Sequence, residues 1–316
     1  MNRILFITPY VPRESNAGAA YSKQLLEELA KYFIVDVVYF RQDVTCDYLP
    51  QNPNINVIAV YAINKWSRIR GFLCLPWLFP IFTCRFSLPI FRKLKKRLEE
   101  VEYEILYFDF SQTFAYASFL KHPNKILMSH DVIGQKYTRT KRFLLPWVKL
   151  SEKSLLRKGN AIFTFSPKDC SIIKELYNIK SDYTTFFLNE NVQQTIPSTV
   201  KDYFVFFGNW NRIENSEALR WFLNNVYSGF KGEQHFLVIG GGLSAEIRKE
   251  IKAFENIEYL GFVDNPYPLI AEAKAMIAPL HLGAGVKVKC IEAMACGTSV
   301  IGTEVAFEGI SRSEER

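Results

Sequence analysis

Residues 279–309 read PLHLGAGVKVKCIEAMACGTSVIGTEVAFEG. A short apolar strand ends at Pro279, glycines follow at Gly283 and Gly285, and helical periodicity runs over Val286–Ala295. Glycine permits an unusual backbone path, and the free N–H groups of a helix N-terminus bind phosphate. The pattern therefore predicts an anion site where the strand passes into the helix.

Three charged side chains follow these glycines. Lys287 and Lys289 place positive charge in the first helical turn, where cations oppose the helix dipole and the fold gains nothing from them. A bound anion would explain both lysines. Glu292 lies one turn deeper and could accept hydrogen bonds from ribose hydroxyls. The alternative interpretation is an ordinary glycine loop with a solvated lysine pair, and a glycine-rich loop alone is weak evidence against it.

The stretch closes an alternating series of strands and helices that begins near residue 202. Apolar runs predict strands at Tyr203–Phe207, His235–Ile239, Ile257–Leu260, Ala275–Ala278 and Ser299–Ile301. Helical periodicity predicts helices at Glu217–Asn225, Ser244–Phe254, Pro266–Ala273 and Val286–Ala295. Such alternation is typical of a parallel sheet covered by helices.

The first half of the chain alternates in the same way. Strands are predicted at Arg3–Thr8, Phe33–Phe40, Ile55–Val60, Glu104–Phe108, Lys125–Ser129 and Ala161–Phe165, with a helix at Ala19–Tyr32. The polar stretch Thr195–Lys201 is typical of a linker. We expect an α/β protein with two Rossmann-like domains facing each other across a cleft, residues 1–195 and 202–316.

The bulk composition is that of a globular protein. The chain has 316 residues, of which 48% are hydrophobic and 22% charged, so disorder is excluded as its main state. Six scattered cysteines form no CxxC pair, and four histidines are too few for a zinc site beside them. We therefore expect no metal site and a reduced, cytoplasmic protein without a signal peptide, since Pro9 and Pro12 follow the first apolar run at once.

The net charge of +7 suits an anionic partner, and the excess is concentrated in residues 65–97. That segment mixes aromatic and basic residues, contains no acidic residue, and is interrupted by three prolines. A membrane-spanning helix is therefore not expected. Contact of residues 65–97 with the surface of the inner membrane is one interpretation, and a buried hairpin with one solvated basic face is the other. A nucleic-acid partner is not expected, because no recognised module is present.

The segment Glu292–Val300, EAMACGTSV, resembles the EAMAxGxPV signature of retaining GT-B glycosyltransferases of the family 4 (group 1) type. Further segments resemble motifs of that family in the same order: RILFITPYVP at 3–12, NAGAA at 16–20, SHD at 129–131, AIFTFSPKD at 161–169, FFGNWNR at 206–212, FLVIGG at 236–241 and IEYLGFVD at 257–264. The ordered set, which spans nearly the whole chain, implies the GT-B fold.

The resemblance also implies roles for single residues. The helix that carries Glu292 would bind the ribose and phosphates of a nucleotide sugar, and the backbone near Val263 would select the base. Gly18 would lie in a loop facing the donor phosphates, and His130 would reach the donor sugar. Alternatively, Gly18 only makes a turn and His130 is a satisfied polar residue at a strand end. Asp131 would either position His130 or cap the next helix.

Two features depart from the family pattern. Its E-x7-E motif would place the first glutamate at position 284, where this chain has Ala284. Residues 283–292 instead resemble a GxGxKxKxxEA form, which implies that Lys287 or Lys289 holds the diphosphate. The usual Arg/Lys pair after the first strand of the second domain is also missing, and Arg212 is expected to substitute. Helices that usually follow the last strand do not follow Gly309, so we expect a truncated C-terminal end.

These features together predict a metal-independent, hexosyltransferase-like enzyme of the polysaccharide-biosynthesis type. It would move a sugar from a UDP- or GDP-sugar to a glycan or lipid-linked acceptor, with His130 and Glu292 as catalytic residues. The nucleotide sugar would be a co-substrate, and no cofactor is expected. The alternatives are a degenerate sugar-nucleotide or membrane-binding protein, for which Ala284 argues, and an epimerase acting on a UDP-sugar.

Overall fold

The computed structural model describes residues 1–13, 17–41, 47–196, 199–227 and 234–310. The chain divides into two compact units, Met1–Phe187 and Leu188–Arg316. The sequence predicts that the first domain ends at residue 195. Residues 188–195 instead belong to the second unit, because Val192 is buried in that unit's core.

The first unit is built on a parallel sheet. Its described strands are β1 (Arg3–Thr8), β2 (Ile34–Arg41), β3 (Ile55–Ala62), β4 (Ile105–Asp109), β5 (Lys125–Met128), β6 (Ala161–Thr164) and β7 (Asp182–Tyr183). They lie in the order β3-β2-β1-β4-β5-β6-β7, and every pairing is parallel. The carboxyl ends of β1, β4, β5 and β6 therefore meet along one edge of the sheet, which is where α/β proteins place ligands.

Helices cover this sheet and bury its apolar strands. They are α1 (Ala17–Leu29), α2 (Lys65–Cys74), α3 (Pro80–Thr83), α4 (Leu88–Glu100), α5 (Phe114–Ala117), α6 (Ile133–Arg139), α7 (Leu145–Leu156) and α8 (Pro167–Tyr177). Two large apolar clusters result. Leu5 and Phe108 belong to one of them, and Phe6 and Val37 belong to the other.

Residues 65–97 differ in burial along their length, and each of the two interpretations of this segment applies to a different part of it. From Leu78 onward it turns inward, and Phe82, Phe86 and Ile90 are part of the core. Arg85 is also buried and donates from Nε to the backbone oxygen of Pro9 over 3.2 Å. The second half of the segment is therefore core with a basic outer face on α4, whereas α2 carries exposed apolar side chains. No helix in the described ranges is both long and apolar enough to cross a membrane.

The second unit repeats the parallel architecture on a smaller scale. Its described strands are β8 (Tyr203–Phe207), β9 (His235–Ile239), β10 (Ile257–Gly261), β11 (Ala275–Ala278) and β12 (Val300–Gly302), in the order β10-β9-β8-β11-β12. The helices are α9 (Glu190–Gln194), α10 (Ile213–Asn225), α11 (Ala245–Ile251), α12 (Tyr267–Ala271) and α13 (Val288–Ala295). As in the first unit, all strand pairings are parallel.

Two element boundaries differ from the predictions in a way that concerns function. Helix α10 begins at Ile213 and not at the predicted Glu217. The prediction was late because the first turn of the helix is mostly polar and shows no apolar periodicity. Gly18 lies in the first turn of α1 and not in a loop, since Ala19 and Ala20 favour the helix. Asn16 of the NAGAA segment and residues 311–316 at the C-terminal end lie outside the described residues.

Candidate functional site

The loop before α13 has the backbone path that its glycines predict. Gly283 has φ +108° and Gly285 has φ +71°, and both values lie in the left-handed region that side chains disfavour. The loop leads from the carboxyl end of β11 to Lys287, which is the residue preceding the first turn of α13. In that first turn the N–H of Cys290 donates to the backbone oxygen of Lys287 over 2.8 Å, whereas the N–H groups of Val288 and Lys289 precede the first acceptor that the helix itself supplies. The second unit therefore presents backbone donors at the carboxyl edge of its sheet.

Lys289 is a cation held without a carboxylate. Its Nζ donates to Oδ1 of Asn215 over 2.8 Å, and the described part of the chain places no acidic side chain within ion-pairing distance of it. Burial, together with the positive charges of Arg212 and Lys287, lowers the pKa of Lys289 to about 8. Three cations thus converge at the start of α13, and an anion bound there would relieve their mutual repulsion.

Lys287 and Arg212 differ from Lys289 in having carboxylate neighbours. The Nζ of Lys287 donates to the backbone oxygen of Gly285 over 2.6 Å and lies 3.7 Å from Oε2 of Glu308. Arg212 is largely exposed, with Nε 3.7 Å from Oε2 of Glu214. Lys287 therefore also holds the glycine loop in place, while Arg212 is free to reorient toward solvent.

Glu292 is buried one turn into α13. Burial raises the pKa of its carboxyl to about 7, although a hydrogen bond from the side chain of Tyr267 opposes that shift. A carboxyl with this pKa changes its protonation state near neutral pH. A strongly shifted carboxyl beside a glycine loop and a cationic cluster is typical of a functional site.

Val263 follows the end of β10. Gly261 has φ +75° and its backbone oxygen accepts from the N–H of Gly240 over 2.7 Å, which joins the carboxyl ends of β9 and β10. The side chain of Val263 packs against the core of the second unit. Any recognition at this position is therefore limited to its backbone groups.

His130 lies at the carboxyl edge of the first unit's sheet, and a carboxylate of the neighbouring strand holds it. Its Nε2 is 2.7 Å from Oδ1 of Asp109, the last residue of β4. The other carboxylate oxygen, Oδ2, accepts from Oγ of Ser22 over 2.5 Å. Since Oγ of Ser22 also lies 3.0 Å from the backbone oxygen of Gly18, one hydrogen-bonded series joins α1 to His130. Both ends of that series were predicted site residues.

Aromatic rings enclose this histidine. The ring of Phe110 stacks on His130 with centroids 3.4 Å apart and an interplanar angle of 7°. Tyr21 and Phe165 meet it edge-on, at 5.3 Å and 4.8 Å. Phe110 adopts φ +61°, a value that bulky residues rarely adopt. Strain of this kind is found at functional sites, where the surrounding structure maintains it.

The carboxylate of Glu152 caps the helix that follows His130. Its two oxygens accept the N–H groups of Ile133 and Gly134 over 2.8 Å and 2.7 Å, and Oε2 also accepts from the Tyr177 hydroxyl over 2.5 Å. The carboxylate that orients His130 belongs to Asp109. The Asp131 backbone oxygen accepts from Oγ of Ser129 over 3.0 Å, and the roles considered for the Asp131 side chain stay predictions.

The comparisons with known proteins agree with this geometry. Residues 201–315 match the family described as Glycosyl transferases group 1. Sucrose-phosphate synthase from Thermosynechococcus elongatus superposes with a TM-score of 0.73 at 16% identity, over 97% of this chain and 82% of its own. HepE from Anabaena, in complex with UDP and glucose, superposes with a TM-score of 0.66 at 14% identity, over 99% and 84%. The chain has the GT-B fold.

A third structure with this fold is WaaG, a glycosyltransferase involved in lipopolysaccharide biosynthesis. It superposes with a TM-score of 0.64 at 11% identity, over 96% of this chain and 81% of its own. No curated protein matches the sequence significantly. The group 1 match contains every predicted site residue of the second unit, namely Arg212, Val263, Gly283, Gly285, Lys287, Lys289 and Glu292.

Two residues of this GT-B chain that support the site were not predicted from the sequence: Asp109, which contacts His130, and Glu152, which caps α6. Asp109 was missed because it was not recognised as the end of the apolar strand Ile105–Asp109, although a carboxylate directly after such a run is itself a signal. Glu152 was missed because it lies in the middle of α7 and reaches α6 only through tertiary packing. The contact of Asn215 with Lys289 was not predicted either, because it joins α10 to α13.

Proposed function

We propose that this chain is a retaining glycosyltransferase that uses a UDP- or GDP-sugar as its donor. The observation that carries the proposal is the cationic cluster at the start of α13, where Lys289 is held by an amide and not by a carboxylate. A diphosphate supplies the missing negative charge. The group 1 match over residues 201–315 and the UDP and glucose bound by HepE support the same donor class.

The second unit is assigned the donor. The N–H groups that follow Gly283 and Gly285 receive the diphosphate, together with the side chains of Lys287, Lys289 and Arg212. Glu292 accepts hydrogen bonds from the ribose hydroxyls, and the backbone near Val263 contacts the base. These side chains supply positive charge to the diphosphate directly, so the proposal requires no metal ion and no cofactor.

The first unit is assigned the reacting sugar. His130, oriented by Asp109, binds the donor sugar, and the first turn of α1 at Gly18 faces the phosphates. An oxygen of the acceptor hydroxyl forms a bond to the anomeric carbon as the bond from that carbon to the diphosphate oxygen breaks. The hydroxyl proton leaves with the nucleoside diphosphate. Negative charge grows on the leaving group, and fixed cations stabilise such charge most effectively in a site that excludes water.

The acceptor is proposed to be a glycan or a lipid-linked sugar used in cell-surface polysaccharide synthesis. The involvement of the structural neighbour WaaG in lipopolysaccharide biosynthesis supports this class. We place the reaction at the cytoplasmic face of the inner membrane, with the chain bound peripherally. Exposed aromatic and basic residues on α2, within the segment 65–97, support that placement.

The test is a panel of UDP-, GDP-, ADP- and TDP-sugars, with binding followed by calorimetry and donor hydrolysis followed by nucleotide release. We expect saturable binding and slow hydrolysis with one of the first two classes, and we expect both to persist in EDTA. Lys289→Ala should abolish binding. Lys249→Ala, at an exposed lysine of α11, is the matched control and should bind as the parent does.

Two outcomes would contradict the proposal. Failure to bind any donor removes the site assignment. Saturable binding without hydrolysis, even when a glycan acceptor is supplied, favours a sugar-nucleotide binder, and Ala284 in place of the family's glutamate is the feature that argues for it.

A further inference from the structure

One side of α2 exposes large apolar side chains to solvent. Trp66, Ile69 and Leu73 recur at spacings of three and four residues, which places them on one stripe of the helix, and Trp77 follows just after its end. These four side chains are between 48% and 71% exposed. The opposite side of the helix is packed: a side chain at Gly71 would lie 2.3 Å from the backbone oxygen of Thr83. The stripe is therefore an outer surface and not an incompletely packed core.

A second segment, distant in sequence, extends the stripe. Trp147 of α7 donates from Nε1 to the backbone oxygen of Trp77 over 3.0 Å, and its ring meets Phe72 and Phe79 with centroids 6.2 Å and 5.1 Å apart. Leu150 lies one turn after Trp147 in α7, and Phe143 lies in the short 3-10 turn Arg142–Leu144 just before this helix; they are 69% and 80% exposed. The contacts of Trp147 bring α7 against α2 and Trp77, and the exposed apolar side chains of the two segments are here called the aromatic face: Trp66, Ile69, Leu73, Trp77, Phe143 and Leu150.

The charges around this face have one sign. Residues 65–98 contain no aspartate or glutamate, and neither do residues 132–151. Five cationic side chains of these two segments are exposed, and none forms an ion pair with another described residue: Lys65, Arg68, Arg70, Lys141 and Arg142. Unpaired cations around exposed apolar side chains suit a partner surface that carries negative charge and can bury apolar side chains.

We propose that the aromatic face docks onto a lipid bilayer that carries anionic headgroups. Exposed apolar patches of this kind mark interaction sites, and tryptophan favours the boundary between headgroups and hydrocarbon. The neighbouring lysines and arginines meet the negative surface potential of such a bilayer. The proposal narrows the membrane contact expected over residues 65–97 to α2 and Trp77, because Leu78 and Phe82 turn inward, and it adds residues 141–150.

This docking is independent of the donor site. It rests on the proposed function only because docking would bring the chain to a lipid-linked acceptor in the membrane. Lipid binding is measured without any nucleotide sugar, and donor binding is measured without any lipid, so either proposal can fail alone.

The experiment is co-sedimentation of the full chain with vesicles of phosphatidylcholine alone or of an equimolar mixture with phosphatidylglycerol. We expect binding only to the anionic vesicles, and we expect added salt to reduce it. The paired variants Trp66→Ser with Leu73→Ser, and Phe143→Ser with Leu150→Ser, should each lower the partition coefficient by about tenfold or more. Leu49→Ser with Tyr183→Ser, at exposed residues of other elements, is the matched control and should bind as the parent does.

The role of the basic side chains and the depth to which Trp66 enters the bilayer are tested separately. Arg68→Glu with Arg142→Glu should abolish binding to anionic vesicles, whereas Lys121→Glu should not. Vesicles of brominated lipid should quench tryptophan fluorescence, and Trp66→Phe should remove part of that quenching. Circular dichroism and thermal unfolding identify any variant that has failed to fold, and the charge pair leaves the apolar packing intact.

Several results overturn the proposal. It fails if the parent chain does not sediment with anionic vesicles, or if the Phe143 and Leu150 pair binds like the control. It also fails if the parent self-associates and the face variants abolish self-association with no change in lipid binding, because the face would then join two copies of this chain.

Discussion

Nε2 of His130 lies 2.7 Å from Oδ1 of Asp109, and this contact fixes which nitrogen of the imidazole faces β4. A carboxylate beside Nε2 favours a proton on that nitrogen and leaves Nδ1 for a second partner. Because Asp109 is fully buried, the contact is shielded from water and more effective than a surface pair. The orientation of His130 is therefore set by β4.

Asp109→Asn is the first testable change. The asparagine amide can donate from its NH₂ group to Nε2 of His130, which favours the ring proton on Nδ1 and not on Nε2. The volume of the side chain at position 109 hardly changes. We expect kcat to fall by about tenfold or more, consistent with loss of a hydrogen bond of about 1.5 kcal/mol to a charged group. Steady-state kinetics with the donor found by the panel measures this effect.

The comparison of kcat with KM separates positioning from folding. The KM for the donor should change less than kcat. His122→Asn, at a histidine whose ring contacts backbone groups of Tyr103 and Asn124, is the control and should leave kcat and KM unchanged. An Asp109→Asn enzyme with the parent's kcat and KM would show that the contact is structural only.

The pKa of Lys289 makes a second prediction, about donor affinity. With a pKa of about 8, its ammonium is charged below that pH and loses its proton above it. The dissociation constant for the nucleoside diphosphate should be flat below pH 8 and rise above it, approaching about tenfold per pH unit. Isothermal titration between pH 7 and pH 9 should also show proton uptake on binding.

Lys289→Arg is the informative variant for this prediction, because guanidinium stays protonated throughout that range. Its affinity should not change with pH, whatever its absolute value. Lys249→Arg should retain the pH dependence of the parent. If the Lys289→Arg chain and the parent show the same rise, another group controls the affinity.

The strands were largely predictable from the sequence, and the reason is local. Tyr203–Phe207, His235–Ile239 and Ala275–Ala278 are short apolar runs bounded by polar residues, and each has the predicted bounds. A buried parallel strand needs nothing more than such a run. The edge strand Asp182–Tyr183 was missed because it is short and exposed.

The site was predictable only where a motif lies within one segment. Residues 283–289 contain both the glycine loop and the two lysines. These residues are close in space because they are close in sequence. Asp109 and Ser22, by contrast, reach His130 from different elements, and sheet order brings them together. The positive φ of Phe110 depends on its tertiary surroundings and has no sequence signal of its own.

Gly283→Ala tests the backbone of the donor loop. A methyl group there would have room, since its closest neighbours, Cγ of Glu214 and Cε of Lys287, would lie 3.6 Å away. The φ of +108° is the obstacle, because it costs a residue with a side chain about 1–3 kcal/mol. We expect about a tenfold loss of nucleotide affinity or a comparable loss of stability. Gly241→Ala, at a glycine without positive φ, should cost less than Gly283→Ala in unfolding free energy.

Glu152 makes the last prediction, about stability and pH. Burial raises the pKa of its carboxyl from 4.5 to about 7, against the hydrogen bonds from Tyr177, Gly134 and Ile133. The folded chain therefore holds more protons than the unfolded chain between these values, and its free energy of unfolding falls as pH rises through that window, by up to about 3 kcal/mol. Glu152→Gln cannot titrate and should flatten this slope in denaturant unfolding at pH 5 and pH 7.5, whereas Glu102→Gln, at an exposed position, should not. A parent chain whose stability rises across that range, with Glu152→Gln rising in parallel, would contradict the assignment, because this carboxyl would then be ionised in the folded state throughout.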